Sequence, residues 1–223
     1  MGDIKAITLT SSDTNISGTY IVRIANKSNT GEVCINEKNI DGEIYSKTAC
    51  GFVIEFADII TITRMNAAQT NVGGWPSSSM RSYVNNDIYN ALPINLKNEI
   101  IDTIVVSGHG STSGETNFIS TDKLYLLSTI EVKTPGGNYD TAKDVTRQLD
   151  YYKEYKSEDG SIGVTTDNYS GAIKKLNGSA RPWWLRSARS DSTDYFSRVL
   201  DDGGWSSYYA RITSGVAPSF RIG

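Results

Sequence analysis

Residues 183–187 read Trp-Trp-Leu-Arg-Ser, and this aromatic and apolar run predicts a β-strand in the C-terminal part of the 223-residue chain. Successive side chains of a strand point to opposite faces, so we expect one of Trp183 and Trp184 in the core and the other either lining a surface or supporting the display loops. Further strands are predicted over residues 196–200, 208–212 and 216–222. A C-terminal strand of this kind is expected to pair into a core sheet.

The first 64 residues contain short apolar segments between polar turns, a pattern that predicts more strands. The clearest are residues 18–24, 52–56 and 59–63, and residues 31–35 and 43–45 are shorter candidates. The spacers hold Asn, Ser and Gly, as hairpin connections do.

Residues 74–103 predict two short helices, because apolar residues there recur at helical spacing. The inward face of the first helix is formed by Met80, Tyr83, Val84 and Ile88. Ser77-Ser-Ser79 offers an N-cap, Pro93 interrupts the pattern, and residues 95–101 resume it.

The rest of the chain holds two more predicted strands and a long polar stretch. The strands are expected over residues 104–106 and 123–127. Residues 133–181 are polar and weakly periodic, with a helix expected within residues 141–155. Such a stretch is typical of functional loops on a rigid scaffold.

Composition excludes several classes of protein. The 22 Lys and Arg against 25 Asp and Glu give a formal net charge of −3, whereas a general nucleic-acid binder needs a basic face. No apolar run is long enough to span a membrane. The inventory of one His and two Cys is too small for a zinc site of those residue types. The 13 Tyr, 4 Trp and 20 Gly are typical of a loop-rich β protein that displays side chains.

Cys34 and Cys50 leave two alternatives open. A disulfide between them would close a short loop and stabilise the fold by about 3 kcal/mol, as is common in exported proteins. Two buried free thiols are the other alternative.

Residues 187–214 combine Ser, Asp, Tyr and Arg with one Trp, set between the apolar residues Phe196, Val199 and Ile212. Antibody binding loops use a similar mixture, because Tyr and Trp give rigid contact area and Ser gives adaptable hydrogen bonding. Composition alone favours a plainer alternative, a polar β-meander with solvated turns.

Two groups of residues are candidates for chemistry, and a structural interpretation is favoured for both. The carboxylates of Asp191, Asp194, Asp201 and Asp202 suggest calcium ligands or an acid and base pair, but turn formation accounts for them more simply. His109 lies between two glycines, and no Gly-x-Ser-x-Gly elbow surrounds any serine. A hydrogen bond within its loop is favoured over catalysis.

Five ordered motifs carry a resemblance to a known family. They are Gly73-Gly-Trp-Pro-Ser-Ser-Ser-Met-Arg-Ser-Tyr-Val-Asn85, Asp87-Ile-Tyr-Asn-Ala-Leu-Pro93, Ser120-Thr-Asp-Lys-Leu-Tyr-Leu-Leu-Ser128, Trp183-Trp-Leu-Arg-Ser-Ala188 and Gly215-Val-Ala-Pro-Ser-Phe-Arg-Ile222. Together they resemble a surface-domain family of gut Firmicutes, which is similar to the C-type lectin fold in its formylglycine-generating-enzyme-like form. The variable proteins of diversity-generating retroelements share that fold.

The resemblance implies a fixed frame that carries a diversified binding surface. The frame would be Trp183, Trp184, Arg186, Phe196, Val199, Gly215, Phe220 and Ile222. The ligand-binding positions would be Asp191, Ser192, Asp194, Tyr195, Ser197, Arg198, Asp201, Asp202, Trp205, Ser206, Tyr208, Tyr209, Arg211 and Thr213.

The chain departs from two activities found on this fold. Formylglycine-generating enzymes use a C-terminal pair of cysteines, and no cysteine follows Cys50, so their copper-dependent oxidation is not expected. Sugar-binding C-type lectins use Glu-Pro-Asn or Gln-Pro-Asp motifs, and neither occurs here. We therefore expect no cofactor, although a structural calcium ion is compatible with the sequence.

The sequence thus predicts an α+β protein with a C-type lectin-like fold of small mixed and antiparallel sheets, two short helices and long loops. Residues 1–50 would form an N-terminal β segment or accessory module, and residues 51–223 the ligand-binding domain. No signal peptide follows Met1, so we expect a chain trimmed of its export or anchoring segment.

The expected function is recognition without catalysis. The partner would be a protein or glycan, rather than a nucleic acid or a membrane, met outside the cell or on a cell or virion surface. The alternatives are a fixed structural or adhesive cell-surface module without diversification and, less favoured, a hydrolase that uses His109 and the aspartates.

Overall fold

The computed structural model describes residues 1–108, 116–134 and 144–223. Within these ranges the protein is a mixed α+β structure of small sheets with a few short helices, which confirms the predicted class. The strands are β1 (Ile4–Leu9), β2 (Gly18–Asn26), β3 (Phe52–Phe56), β4 (Thr61–Arg64), β5 (Thr103–Ser107), β6 (Phe118–Asp122), β7 (Lys175–Leu176), β8 (Ser179–Ala180), β9 (Trp183–Ala188), β10 (Tyr195–Val199), β11 (Trp205–Tyr209), β12 (Thr213–Val216) and β13 (Ser219–Ile222).

The helices are short. They are α1 (Glu32–Ile35), α2 (Ser79–Tyr83), α3 (Tyr89–Ala91), α4 (Ile94–Glu99), α5 (Thr129–Val132) and α6 (Asp150–Glu154). A π-helical turn over Val84–Ile88 joins α2 to α3, and a 3-10 turn covers Ser170–Ala172. The pairs β5–β6 and β7–β8 form two small antiparallel sheets.

One antiparallel sheet has the strand order β1-β2-β3-β13. Its last strand confirms the expected return of the C-terminus into a sheet, because β13 pairs along β3. The predicted strand over residues 216–222 is in fact two strands, β12 and β13, which join different sheets on either side of Ala217-Pro218. Proline cannot donate a ladder hydrogen bond, which explains the break.

A second sheet has the order β11-β10-β9-β12-β4. β9 lies in its middle and is parallel to β12, whereas the other neighbours are antiparallel. All six residues of β9 are buried, and β4 and β11 are the two outer strands of this sheet. β11 ends at Tyr209, so the strand predicted over residues 208–212 was placed too far along the chain.

The two predicted helices between residues 74 and 103 are confirmed. The Ser78 side chain caps the first by accepting the Arg81 N–H, and Met80, Val84 and Ile88 are buried on its inner face. The second helix is α4, which begins directly after Pro93.

Three predicted strands are wrong. Residues 31–35 form α1, residues 43–45 contribute a single bridge from Ile44 to Lys38, and residues 123–127 contribute a single bridge from Tyr125 to Ser219. In residues 123–127 the side-chain oxygen of Asn85 accepts hydrogen bonds from the backbone N–H groups of Lys123 and Leu124, both at 3.0 Å. These N–H groups are therefore not available to a neighbouring strand.

Cys34 and Cys50 form a disulfide, which decides between the two alternatives. The bridge lies in a small apolar cluster with Val33, Val106 and Val145, apart from the main core. It fastens α1 to the segment that precedes β3.

A buried ion cluster joins the N-terminal strands to distant parts of the chain. Glu55 on β3 accepts hydrogen bonds from Arg23 on β2 and from Lys174, each at 2.8 Å, and from the Tyr152 hydroxyl. Burial alone would raise the pKa of Glu55, but the two cations hold it below its ordinary value. Burial lowers the pKa of Lys174 to about 8. Whether residues 1–50 form a separate module stays a prediction, but β2 and β3 pair in one sheet.

Candidate functional site

The two tryptophans of β9 are both fully buried, so neither lines a surface, which was one of the two alternatives for the second of them. The Trp183 indole donates to the carbonyl of Ala172, and the Trp184 indole donates to the carbonyl of Thr63, both at 3.0 Å. Both faces of the sheet are covered at this strand, so side chains on both faces are buried. The alternation of side chains along a strand does not indicate whether one face or both faces are covered.

Arg186 on β9 is also fully buried and is held by a carboxylate. Its guanidinium donates to both oxygens of Glu131 at 2.6 and 2.8 Å and to the carbonyl of Leu126 at 2.9 Å. Burial alone would lower the pKa of Arg186, but Glu131 raises it above its ordinary value. Glu131 is itself fixed by a capping box with Ser128 at the start of α5.

The sequence-predicted binding residues lie in or next to a hairpin formed by β10, the turn over residues 200–204, and β11. We call residues 195–209 the C-terminal hairpin. Six of them are exposed: Asp191, Asp201, Asp202, Tyr208, Arg211 and Thr213. Seven are half-buried: Ser192, Asp194, Tyr195, Arg198, Trp205, Ser206 and Tyr209. Ser197 is buried, at 5% exposure, so its side chain is not displayed.

One face of the C-terminal hairpin is aromatic. Tyr195 and Tyr209 are direct cross-strand partners with ring centroids 4.5 Å apart, and a hydrogen bond between them raises the pKa of Tyr195 to about 12. The guanidinium of Arg189 lies 5.5 Å from the Tyr195 ring, donates to Ser207 Oγ at 2.9 Å, and forms an ion pair with Asp191. Arg189 thus belongs to the candidate surface, although the sequence analysis missed it.

The other face carries a second cation on an aromatic ring. Arg198 lies 4.1 Å from the ring centroid of Tyr208, and burial lowers the pKa of Arg198 from its ordinary value. Phe196, the cross-strand partner of Tyr208, is fully buried and anchors this side of the hairpin. Arginine stacked on tyrosine, with small hydroxyl residues such as Ser206 beside it, suits contact with a polar ligand.

A buried asparagine positions the loop that leads into the hairpin. The Asn71 side-chain amide donates to the carbonyls of Arg189, Ser192 and Tyr195 at 2.7–3.0 Å. Asn71 is 1% exposed, and the sequence analysis missed it. Its place just before the Gly73-Gly-Trp motif was the available signal.

The turn of the hairpin is fixed by a glycine. Gly203 has a φ of +88°, and a Cβ added there would lie 2.3 Å from the Tyr169 carbonyl oxygen. Asp202 caps the same turn by accepting the N–H of Gly204 at 2.7 Å. The backbone of this turn is therefore set by close packing as well as by the strands.

The candidate residues for chemistry are not gathered into one site by the structure. Asp191 pairs with Arg189, Asp194 bonds Gln69 and Ser192, and Asp202 bonds its own turn. In residues 1–108, 116–134 and 144–223, no group of three His, Cys, Asp or Glu is arranged to hold a metal ion. His109 lies outside the described residues.

The fold and surface together describe an α+β protein that presents a Tyr-, Arg- and Ser-bearing hairpin at the outer edge of a sheet. The chain belongs to the family Domain of unknown function (DUF6273), whose model matches residues 31–223. No curated protein and no solved structure matches the chain. Among the described residues, no helix has the length and apolarity to cross a membrane.

Proposed function

We propose that this protein is a non-enzymatic, receptor- or adhesin-type binding protein with a C-type lectin-like fold, which recognises a protein or glycan at a cell or virion surface through the C-terminal hairpin. The observation that carries this proposal is the division of the hairpin region into a buried frame and an outward set of Tyr, Arg, Ser and Asp side chains.

Three frame residues on β9 make side-chain hydrogen bonds away from the outward side chains. Trp183, Trp184 and Arg186 bond Ala172, Thr63 and Glu131, none of which lies in the hairpin. Exchange of the outward residues would therefore leave these bonds intact. This separation supports the retroelement variable protein as the particular form of the proposal.

The outward residues are of the types that dominate binding energy at interfaces. Tyr, Trp and Arg are enriched among such residues because they bury large areas at a small entropic cost. Tyr195 and Tyr209 are in ring contact, and Arg189 and Arg198 each stack on a tyrosine ring, so four of these side chains have fixed neighbours before a ligand arrives. Such preorganisation reduces the entropic cost of binding.

The alternatives predict different behaviour of the same residues. A fixed cell-surface module would keep one set of outward residues and one dedicated ligand. A hydrolase would need His109 or the aspartates, and the local hydrogen bonds of Asp191, Asp194 and Asp202 favour roles in turns.

The test is sequencing of codons 187–223 and the flanking DNA across one source population. We expect substitutions concentrated at the thirteen predicted binding positions that are exposed or half-buried, with a nearby repeat that differs at adenines. The frame codons for Trp183, Trp184, Phe220 and Ile222 are the matched control, since they share the same gene and sampling. Invariant outward codons without such a repeat would overturn the retroelement form and leave the fixed module.

A further inference from the structure

A polar groove of about 840 Å³ lies at the opposite edge of the second sheet from the C-terminal hairpin. One wall is β4 with the residues before it, and the other is the first part of β2. Asp13, Asn15, Lys175 and Asn177 also contribute to its lining. Its volume falls in the range of roughly 300–1,000 Å³ that ligand sites occupy.

The β4 wall is an unpaired strand edge. In an antiparallel pair, residues alternate between pairs whose backbone groups bond each other and pairs whose groups point away. Gly215 on β12 donates its N–H to Pro182 at 2.8 Å, on the side away from β4, so Gly215 and its partner Ile62 form a pair of the second kind. The N–H and C=O of Ile62 therefore point out of the sheet, and no group in the described part of the chain bonds them.

The β2 wall is unpaired as well. The C=O of Ile21 is taken by the N–H of Ala57 at 2.9 Å, on the side of β2 that faces β3. β3 ends at Phe56, so the N–H of Ile21 faces the groove beyond the end of β3. Thr19 lies two residues earlier on β2, so its backbone N–H and C=O face the same way. Within the described ranges, neither set has a hydrogen-bond partner.

A tyrosine hydroxyl forms a hydrogen bond between the two walls of the groove. The Tyr20 hydroxyl donates to the carbonyl of Ile60, immediately before β4, at 3.3 Å. Beyond that contact the side chains of Ile21 and Ile62 are 40% and 44% exposed. The groove thus offers free backbone donors and acceptors at the two-residue repeat of a strand, together with apolar side chains on both walls.

We propose that this groove binds an extended peptide segment of a partner protein, which adds as a β-strand along the open edge of β4. An extended peptide is favoured over a glycan because only a polypeptide backbone repeats donors and acceptors with the period of the two walls. Its alternate side chains would be apolar and β-branched against Ile21 and Ile62. A basic residue of the peptide would suit the carboxylates of Asp13 and Asp58, which both line the groove.

The test begins with a phage-displayed library of random nine-residue peptides selected against the full chain. For a selected peptide, we expect the amide hydrogens of Ile62 and Ile21 to exchange about tenfold more slowly in the complex. Ile62→Pro removes the outward N–H of β4 and should weaken binding about tenfold or more. Proline is tolerated on outer strands, so this variant should stay folded.

The matched control is Ala6→Pro. Ile24 on β2 donates its N–H to the carbonyl of Asp3, just before β1, so Ala6, three residues further along the strand, directs its N–H away from β2. β1 is the outer strand of the first sheet, and a proline there should leave peptide affinity unchanged.

A second measurement leaves the protein unaltered. The selected peptide is N-methylated at every second residue in either of the two registers, and only the register that faces β4 should lose affinity. The proposal is overturned if no selected peptide distinguishes wild type from Ile62→Pro, if both registers lose affinity equally, or if exchange slows at the C-terminal hairpin instead. A glycan array signal that Ile62→Pro abolishes, with no peptide selected, would also overturn it.

Discussion

At the scale of single residues, Asn71 has a structural role that the sequence did not reveal. Its amide satisfies three loop carbonyls beside the candidate surface. Asn71→Ala would leave these carbonyls without that donor in a nearly dry site, which typically costs about 1–3 kcal/mol. We expect a loss of that size in the free energy of unfolding, measured by urea denaturation.

A surface asparagine gives the matched control for this prediction. Asn86 is exposed and donates to the carbonyl of Ser82 one helical turn earlier. Asn86→Ala should change the free energy of unfolding by no more than about 0.5 kcal/mol. Equal losses in the two variants would contradict the positioning role of Asn71.

Asp144 makes stability depend on pH. Burial raises its pKa from 3.8 to about 6, although its carboxylate accepts hydrogen bonds from Gly108 and Ser187. Between these two pH values the unfolded chain loses the Asp144 proton while the folded chain keeps it. This carboxyl therefore lowers stability as pH rises from about 4 to 6, by roughly 3 kcal/mol in total.

The comparison of wild type with Asp144→Asn isolates that effect. The amide cannot ionise, and it can still accept the Gly108 N–H and donate to Ser187. We expect the variant to gain stability relative to wild type as pH rises from 4 to 7, because the other titrating groups cancel in the difference. A difference in the free energy of unfolding that stays constant over this range would show that Asp144 does not titrate as described.

At the scale of elements, periodicity predicted the position of several strands but did not indicate which segments would pair. The segments 18–24, 52–56 and 183–187 became β2, β3 and β9, because alternating or continuous β-branched and aromatic residues favour extended backbone wherever they pair. Residues 31–35 have a similar local pattern but form α1, which contains Cys34 of the disulfide that the sequence had left as one of two alternatives. Leu124 to Leu127 are buried, yet the Asn85 side chain occupies the backbone groups that a neighbouring strand would use.

The same limit applies to the candidate surface. The sequence predicted two strands and the aromatic residues of this region, with the second strand placed too far along the chain. The burial of Ser197 and the contacts of Arg189 depend on pairing register. Register follows from long-range contacts, so a single sequence does not fix which side chains of β10 point outward.

Helix α1 is the element whose position depends on the disulfide. It has four residues, too few to be stable alone, and the Cys34–Cys50 bridge holds it against the apolar cluster. Reduction should lower the free energy of unfolding by about 3 kcal/mol, from the loop-closure entropy of the unfolded chain.

Urea denaturation with and without dithiothreitol measures this loss. The double variant Cys34→Ala/Cys50→Ala is the control, because the reductant has no bond to break in it. If the wild-type midpoint does not move on addition of reductant, the bridge contributes nothing to stability.

At the scale of the whole molecule, the N-terminal strands β1 and β2 are joined to the rest of the protein by charge as well as by strand pairing. Arg23 on β2 and Lys174, far along the chain, meet on the buried carboxylate of Glu55. Both side chains of the Lys174–Glu55 pair are fully buried, and the Arg23 side chain is 11% exposed. Removal of one partner from such a cluster leaves an uncompensated buried charge, which typically costs about 3–5 kcal/mol.

This cluster predicts that residues 51–223 do not fold alone, although the sequence suggested them as a domain. A chain that begins at residue 51 lacks β1, β2, Arg23 and Cys34, so β3 loses one of its two neighbours in the sheet and Glu55 loses one of its two cations. We expect poorly dispersed amide signals in its NMR spectrum and no cooperative thermal transition, whereas the full chain shows both dispersion and cooperativity. Residues 1–50 can then be added as a separate peptide, in oxidised or reduced form. Recovery of a dispersed spectrum would show that strand pairing is enough to fold the two pieces together without a covalent link between them. A well-dispersed spectrum from residues 51–223 without that peptide would establish the boundary at residue 50 as a true folding boundary.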